Sequence, residues 1–167
     1  MSLKIQQFTS VIANPMNVHN FQVYIPGFDD YSIIVQSTSF PQERMRQTNL
    51  YVAGEQIRYA TVPQNGGTWN INVPEDDNGT ISRIFQAKKA QLWDQETGML
   101  AVSAADWENI RVVARDLDGT PSFDVTLMGC WIVGANDVNL NAQDPTTNWR
   151  WDYQFVYQWI KDSNLRG

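Results

Sequence analysis

His19 is the only imidazole in this 167-residue chain and Cys130 the only thiol. A Ser/His/Asp or Cys/His nucleophile would have to be built on that one histidine, and a zinc site with several His or Cys ligands cannot be assembled within one copy. Cys130 lies in the apolar run VTLMGCWIVG, the setting of a small buried hydrophobe rather than of a reactive thiol. A single cysteine also excludes an internal disulfide. Carboxylates cluster at Phe28 to Asp30 (FDD), Glu75 to Asp77 (EDD) and Asp116 to Gly119 (DLDG). Such pairs bind calcium or share acid and base work, but each falls at a turn or helix start, and none fits the twelve-residue calcium loop of an EF-hand. NGGT, Asn65 to Thr68, lacks the lysine and spacing of a phosphate-binding loop, and GANDVN follows a strand pattern without opening a helix. Arg150 sits between Trp149 and Trp151, but one arginine does not make a nucleic-acid track. These residues predict no catalytic group, no metal and no cofactor, so the chain is not expected to be an enzyme.

Charge narrows the classes further. Twelve basic residues against eighteen acidic ones give a formal charge of −6, opposite to the basic footprint of a protein that grips phosphates. Seven Trp, seven Phe and six Tyr supply more apolar surface than disordered chains carry, and the length fits one domain over residues 1–167. The first residues have no charged region followed by an apolar core and cleavage signature, and no stretch approaches the ~20 apolar residues of a membrane span. The expectation is a chain made in the cytoplasm that does not insert into membranes.

The elements that must position any function are mostly strands. Between Trp149 and Trp159 an aromatic residue occupies every second position: Trp149, Trp151, Tyr153, Phe155, Tyr157 and Trp159. Period two predicts a strand with one aromatic face, and Arg150, Asp152, Gln154 and Gln158 take the other. On an amphipathic strand the aromatic side belongs to the core, which disfavours the alternative that these rings form a sugar-stacking platform on a monomeric carbohydrate-binding sandwich. Asn20 to Ile25 alternates and stops at Pro26 and Gly27; Tyr31 to Phe40 is β-branched and is expected to pair with it as a hairpin. Residues 42–62 read as a hairpin arm turning at AGEQ, whose arginines and amides interrupt either apolar face. Gly67 to Pro74 returns to clean alternation.

One helix is predicted over about 78–93, capped by Asp77 or Asn78, with Glu75, Asp76 and Asp77 where the helix dipole favours negative charge. Its apolar stripe is Ile81, Ile84, Phe85, the stem of Lys88, and Leu92. Asn109 to Asp116 and Ser122 to Gly134 read as strands joined by a turn at Leu117 to Thr120. The sum is mainly β: an antiparallel β-sandwich or partial barrel with one α-helix and a long protruding hairpin at about 42–62.

The ordered segments NFQVYIPGF, IIVQSTSFP, NLYVAGEQIRYATV and TWNINVPEDDNGTISRIFQAKKAQL, followed by DVTLMGCWIVGANDVNLN and a final alternating strand, resemble the tail tube proteins of bacteriophages with contractile tails. The resemblance runs from Asn14 to about Lys161 and lies in the order of segments rather than in any catalytic signature. Related inner tubes occur in type VI secretion and other contractile injection machines, and related initiator proteins sit at the baseplate end.

The resemblance implies a structural virion protein: six copies form a ring around a β-lined channel, and rings stack into the inner tail tube. Its implied partners are further copies of itself, the tail sheath protein, the baseplate or tube initiator, and the tape measure protein and transiting DNA in the lumen. Its implied location is the tail tube of a particle assembled in the host cytoplasm. The long hairpin takes the inter-ring contact, carried here onto Arg44, Arg46, Asn49, Tyr51, Glu55 and Arg58. Edge strands joined between copies would pair their backbone groups, and an acidic wall would repel phosphate and let DNA pass. Asp152 and Gln154, on the non-aromatic side of the last strand, are the candidates to line that lumen. An inner-tube or initiator protein of a phage-derived injection machine is the alternative.

Overall fold

The computed structural model of the chain describes residues 20–28, 35–42, 44–64, 66–94, 96–100, 107–116, 118–138 and 147–162. Their order is β1 (Phe21–Tyr24), β2 (Ser37–Thr38), β3 (Arg44–Val52), β4 (Glu55–Gln64), β5 (Gly67–Pro74), α1 (Thr80–Leu92), β6 (Glu108–Arg115), β7 (Pro121–Ala135), β8 (Arg150–Tyr157) and β9 (Trp159–Asp162). Seven strands form one antiparallel sheet in the order β1-β6-β7-β8-β5-β2, with β9 also paired to β7; β3 and β4 form a separate two-stranded sheet. The large sheet stays open, with β1 and β2 at its ends, so the fold is mainly β with one helix among the described residues.

Among the described residues the first two strands pair with other partners than each other. β1 pairs with β6, Val23 opposite Val112, and β2 pairs with β5, Thr38 opposite Ile71. Only Ser37 and Thr38 of the expected second strand are in strand form, and residues 31–34 lie outside the described residues. The reason is burial. Val23 alternates into the core beside Ile110 and Val112 of β6, and a local turn gives no comparable apolar contact.

β5 and β8 pair along their whole length, from Gly67 opposite Tyr157 to Pro74 opposite Arg150. Trp69, Ile71 and Val73 of β5 and Tyr153 and Phe155 of β8 are buried on one face, as period two requires of a half-covered sheet. α1 lies on this face through Ile81 and Phe85. Phe85 is central, with ring centroids 4.0 Å from Tyr153, 5.1 Å from Phe28 and 6.0 Å from Phe155.

The start of α1 differs from the expected cap. Gly79 occupies the N-cap in left-handed conformation, φ 67°, and the residues before it supply the acceptors. Glu75 Oε1 accepts from Ile81 N (3.0 Å) and Glu75 Oε2 from Ser82 N (2.9 Å), while Asp76 Oδ1 accepts from Thr80 N (2.7 Å). Hydrogen bonds from the Thr80 side chain and backbone hold the Asp76 carboxyl below the usual carboxylate range. Asp77 and Asn78 instead form the turn leading to Gly79.

β7 carries the sheet through a kink. Its first half pairs with β6 and β9, and Trp131 to Ala135 pair with β8. Buried residues switch from Val125 and Leu127 to Cys130 and Ile132, an odd-to-even change marking one extra residue in the pleat. Gly129 sits at that point with φ 64°, and a Cβ there would lie 2.9 Å from Gln158 Cγ. Gln158, facing it, breaks the aromatic strand into β8 and β9 and donates its N–H to Met128 O at 3.0 Å.

The break corrects the six-ring face. Trp151, Tyr153, Phe155 and Tyr157 stay on the core side, with Trp151 and Tyr157 half-buried. Beyond the kink Ile160 turns inward instead, leaving Trp159 46% exposed; Trp149, one residue before the strand, is 43% exposed.

Candidate functional site

Among the described residues, no side chain of the β3–β4 hairpin belongs to the core cluster. β3 is exposed at all nine of its positions, and β4 is exposed from Glu55 to Ala60. Register gives it an order that neither strand has alone. Leu50 lies opposite Ile57, Thr48 opposite Tyr59 and Val52 opposite Glu55, so Leu50, Val52, Ile57 and Tyr59 share one face. Tyr51 opposite Gln56, Asn49 opposite Arg58 and Gln47 opposite Ala60 make the other. The expectation of an arm without an apolar face is therefore corrected. Along β3 the apolar residues run Leu50, Tyr51, Val52 and obscure the alternation, and only the turn at Ala53 and Gly54 sets which β4 residues stand beside them.

The six candidate contact residues divide between these faces. Asn49, Tyr51 and Arg58 form a compact polar group on one side, and Glu55 lies on the other beside Val52. Arg44 and Arg46 lie near the base, where the register shifts between Met45 and Gln47; Thr61 Oγ1 donates to Arg46 O there, at 3.2 Å. At the root of the arm a cavity of about 450 Å³ opens between the hairpin and the large sheet, lined by Phe40, Pro41, Arg44, Gly67, Thr68 and Tyr157 among others. Burial pushes the Tyr157 phenol up, and the positive charge of Arg44 offsets part of that shift.

A second surface is the side of β5 and β8 turned away from the core. Asp152 stands opposite Asn72 and Gln154 opposite Asn70, and Asn72 Nδ2 donates to Asp152 Oδ1. Asp152 is exposed and Gln154 half-buried. The two candidate lumen residues are thus neighbours on one polar, amide-rich face. Asn70 and Asn72 complete it and were legible in the sequence only as the polar positions of the GTWNINVP alternation, since nothing in one strand names its partner.

Two ion pairs lie elsewhere on the described surface. Arg111 Nε donates to Asp124 Oδ1 at 2.8 Å, and its Nη2 bonds the second oxygen, holding the Asp124 carboxyl below the usual range. Lys88 Nζ meets Glu108 Oε1 at 2.6 Å. Glu75, read in the sequence only as part of the acidic helix start, also accepts from Trp151 Nε1 at 2.7 Å, which ties the aromatic strand to that start.

Among the described residues no group of three His, Cys, Asp or Glu is placed to hold a metal. His19, Asp29 and Asp30 lie outside the described residues. Burial pushes the Cys130 thiol up to about 12, and its Sγ–H donates to Leu127 O at 3.2 Å, so it is neither a nucleophile nor a ready metal ligand. No helix among the described residues is long and apolar enough to cross a membrane.

The same architecture occurs in solved structures of contractile injection machines. A chain of the sheath–tube complex of the extracellular contractile injection system PVC, in its extended state, superposes with a TM-score of 0.64 at 11% identity, over 95% of this chain and 96% of that one. A chain of the anti-feeding prophage baseplate, six-fold symmetrised, gives 0.66 at 14% identity, over 92% and 99%. A chain from the tube-terminating cap of the same prophage gives 0.65 at 8% identity, over 90% and 91%. No protein-family model and no curated protein sequence matches the chain. At these identities the likeness establishes the fold: that of components of contractile injection particles, spanning nearly the whole chain.

Proposed function

We propose that this chain is a non-enzymatic, tube-building protein of a contractile tail or injection particle, in which six copies form a ring and rings stack end to end. The β3–β4 hairpin carries this reading: a long arm with an apolar face left in solvent, on a body with the fold of injection-particle components. Inter-ring contact falls to the arm, including Arg44, Arg46, Asn49, Tyr51, Glu55 and Arg58. The open sheet supports ring closure, because the free edges at β1 and β2 can pair with neighbouring copies. In this arrangement the polar face bearing Asp152 and Gln154 lines the lumen, and the acidic chain passes DNA without gripping it.

The partners are then the sheath, the baseplate or tube initiator, and a tape measure protein within the lumen, in a particle assembled in the cytoplasm of the producing cell. Both a phage tail and a phage-derived machine meet this description; the solved structures it resembles come from injection particles and favour the latter. Negative-stain microscopy of the purified protein, alone and mixed with sheared tube seeds, tests the reading. Rings or elongating tubes are expected. A monomer that ignores seeds and binds immobilised polysaccharide would instead support sugar stacking on the exposed Trp149.

A further inference from the structure

We infer that the cavity at the root of the hairpin receives the hairpin tip of a second copy, with Glu55 of the tip set against Arg44 of the root. The inference rests on the tube reading and specifies its contact. Arg44 is the one charged residue lining the cavity, and Glu55 is the one charged residue of the tip, Val52-Ala53-Gly54-Glu55. Both are exposed, and neither has an ion-pair partner among the described residues. The contact would therefore join two free charges without breaking an existing pair.

The shape of the tip supports insertion. Ala53 and Gly54 turn with φ 52° and 85°, and Ala53 is the only non-glycine at positive φ among the described residues. Asn, Asp or Gly is the unstrained choice at such a position. Alanine there makes a narrow tip, held in a backbone conformation that is costly for a residue with a Cβ. The cavity has room for it and a mainly polar lining, with Ser39, Gln42, Thr68 and the Tyr157 hydroxyl beside Arg44 to meet the backbone groups and Glu55 of the tip.

Reach supports it as well. A nine-residue strand such as β3 spans ~30 Å at about 3.4 Å per residue, so tip and root lie too far apart for one copy to fill its own cavity. Each copy offers one tip and one cavity, and a contact between unlike surfaces propagates in one direction.

Charge reversal tests the contact on the full-length chain. Glu55→Arg and Arg44→Glu are surface changes, and each variant's melting curve checks that it folds like wild type. Each alone is expected to slow seeded tube elongation by roughly ten-fold or more, and the double variant to recover most of the wild-type rate, because like charges are replaced by the inverted pair. Wild-type tubes that the single reversals leave unchanged, or that the double variant fails to restore, overturn the contact and leave the tube reading standing. A wild-type assembly that ends at a dimer, split by the single reversals and restored by the double, keeps the contact and removes the tube. A wild type that stays monomeric with seeds overturns both.

Discussion

Glu75 and Cys130 show how burial assigns work to residues that could have been read as chemistry. Glu75 uses both carboxylate oxygens on the first turn of α1 and on the Trp151 indole. Replacing it with Ala leaves four donors, the Asp76, Ile81 and Ser82 N–H groups and the Trp151 indole, without their acceptor and is expected to cost ~1–3 kcal/mol in urea unfolding; Gln, with one acceptor oxygen, should recover part of that. Cys130 has the opposite character. Its thiol is raised from 9.0 to about 12 by burial, so below pH 9 it is neutral in both folded and unfolded chains and its contribution is fully present. Above pH 9 only the unfolded thiol ionises, and that contribution is lost as pH rises towards 12. Tyr153, also raised by burial, adds a loss of the same sign. Denaturation midpoints should therefore fall above pH 9, less steeply in Cys130→Ala, and Ellman's reagent at pH 8 should label Cys130 only after unfolding.

Two elements decide the molecule's outline: the kink in β7 and the β3–β4 arm. At the kink, Gly129→Ala meets both a left-handed backbone and a Cβ 2.9 Å from Gln158 Cγ. A loss of ~1–3 kcal/mol is expected, and trimming Gln158 to Ala in the same chain should return only the steric share. The arm behaves in the reverse way. Leu50 and Ile57 face one another but are 49% and 40% exposed, so Leu50→Ser with Ile57→Ser should shift the melting free energy of the free chain by only about 0.5 kcal/mol. Under the tube reading the same pair of changes suppresses elongation. A variant that loses assembly while keeping its melting curve places these residues between copies rather than within one.

For the whole molecule, the formal charge of −6 sets how it meets DNA. Fluorescence anisotropy with a labelled duplex should detect no binding at physiological salt, because the net negative charge repels phosphate. Binding that weakened steeply with salt would refute a non-gripping lumen. Under the tube reading the open sheet and the uncovered arm make assembly concentration-dependent, which sedimentation over a range of loading concentrations would register as a shift from monomer to larger species.

The sequence by itself determined the strand-rich class, the helix, the turn after β6 and the reach of the arm, because period, turn residues and charge act over a few neighbouring positions. The tertiary structure decided what depends on partners distant in the chain. Burial set β1 against β6, a partner far along the chain. Cross-strand register gathered Leu50, Val52, Ile57 and Tyr59 onto one face and set Asn72 against Asp152. The aromatic run from Trp149 to Trp159 shows both levels: its period correctly marked a core strand, but the packing of Gln158 against Gly129 reversed the pleat and sent Trp159 outward. No count along one strand contains that reversal, since its cause lies about thirty residues away on β7.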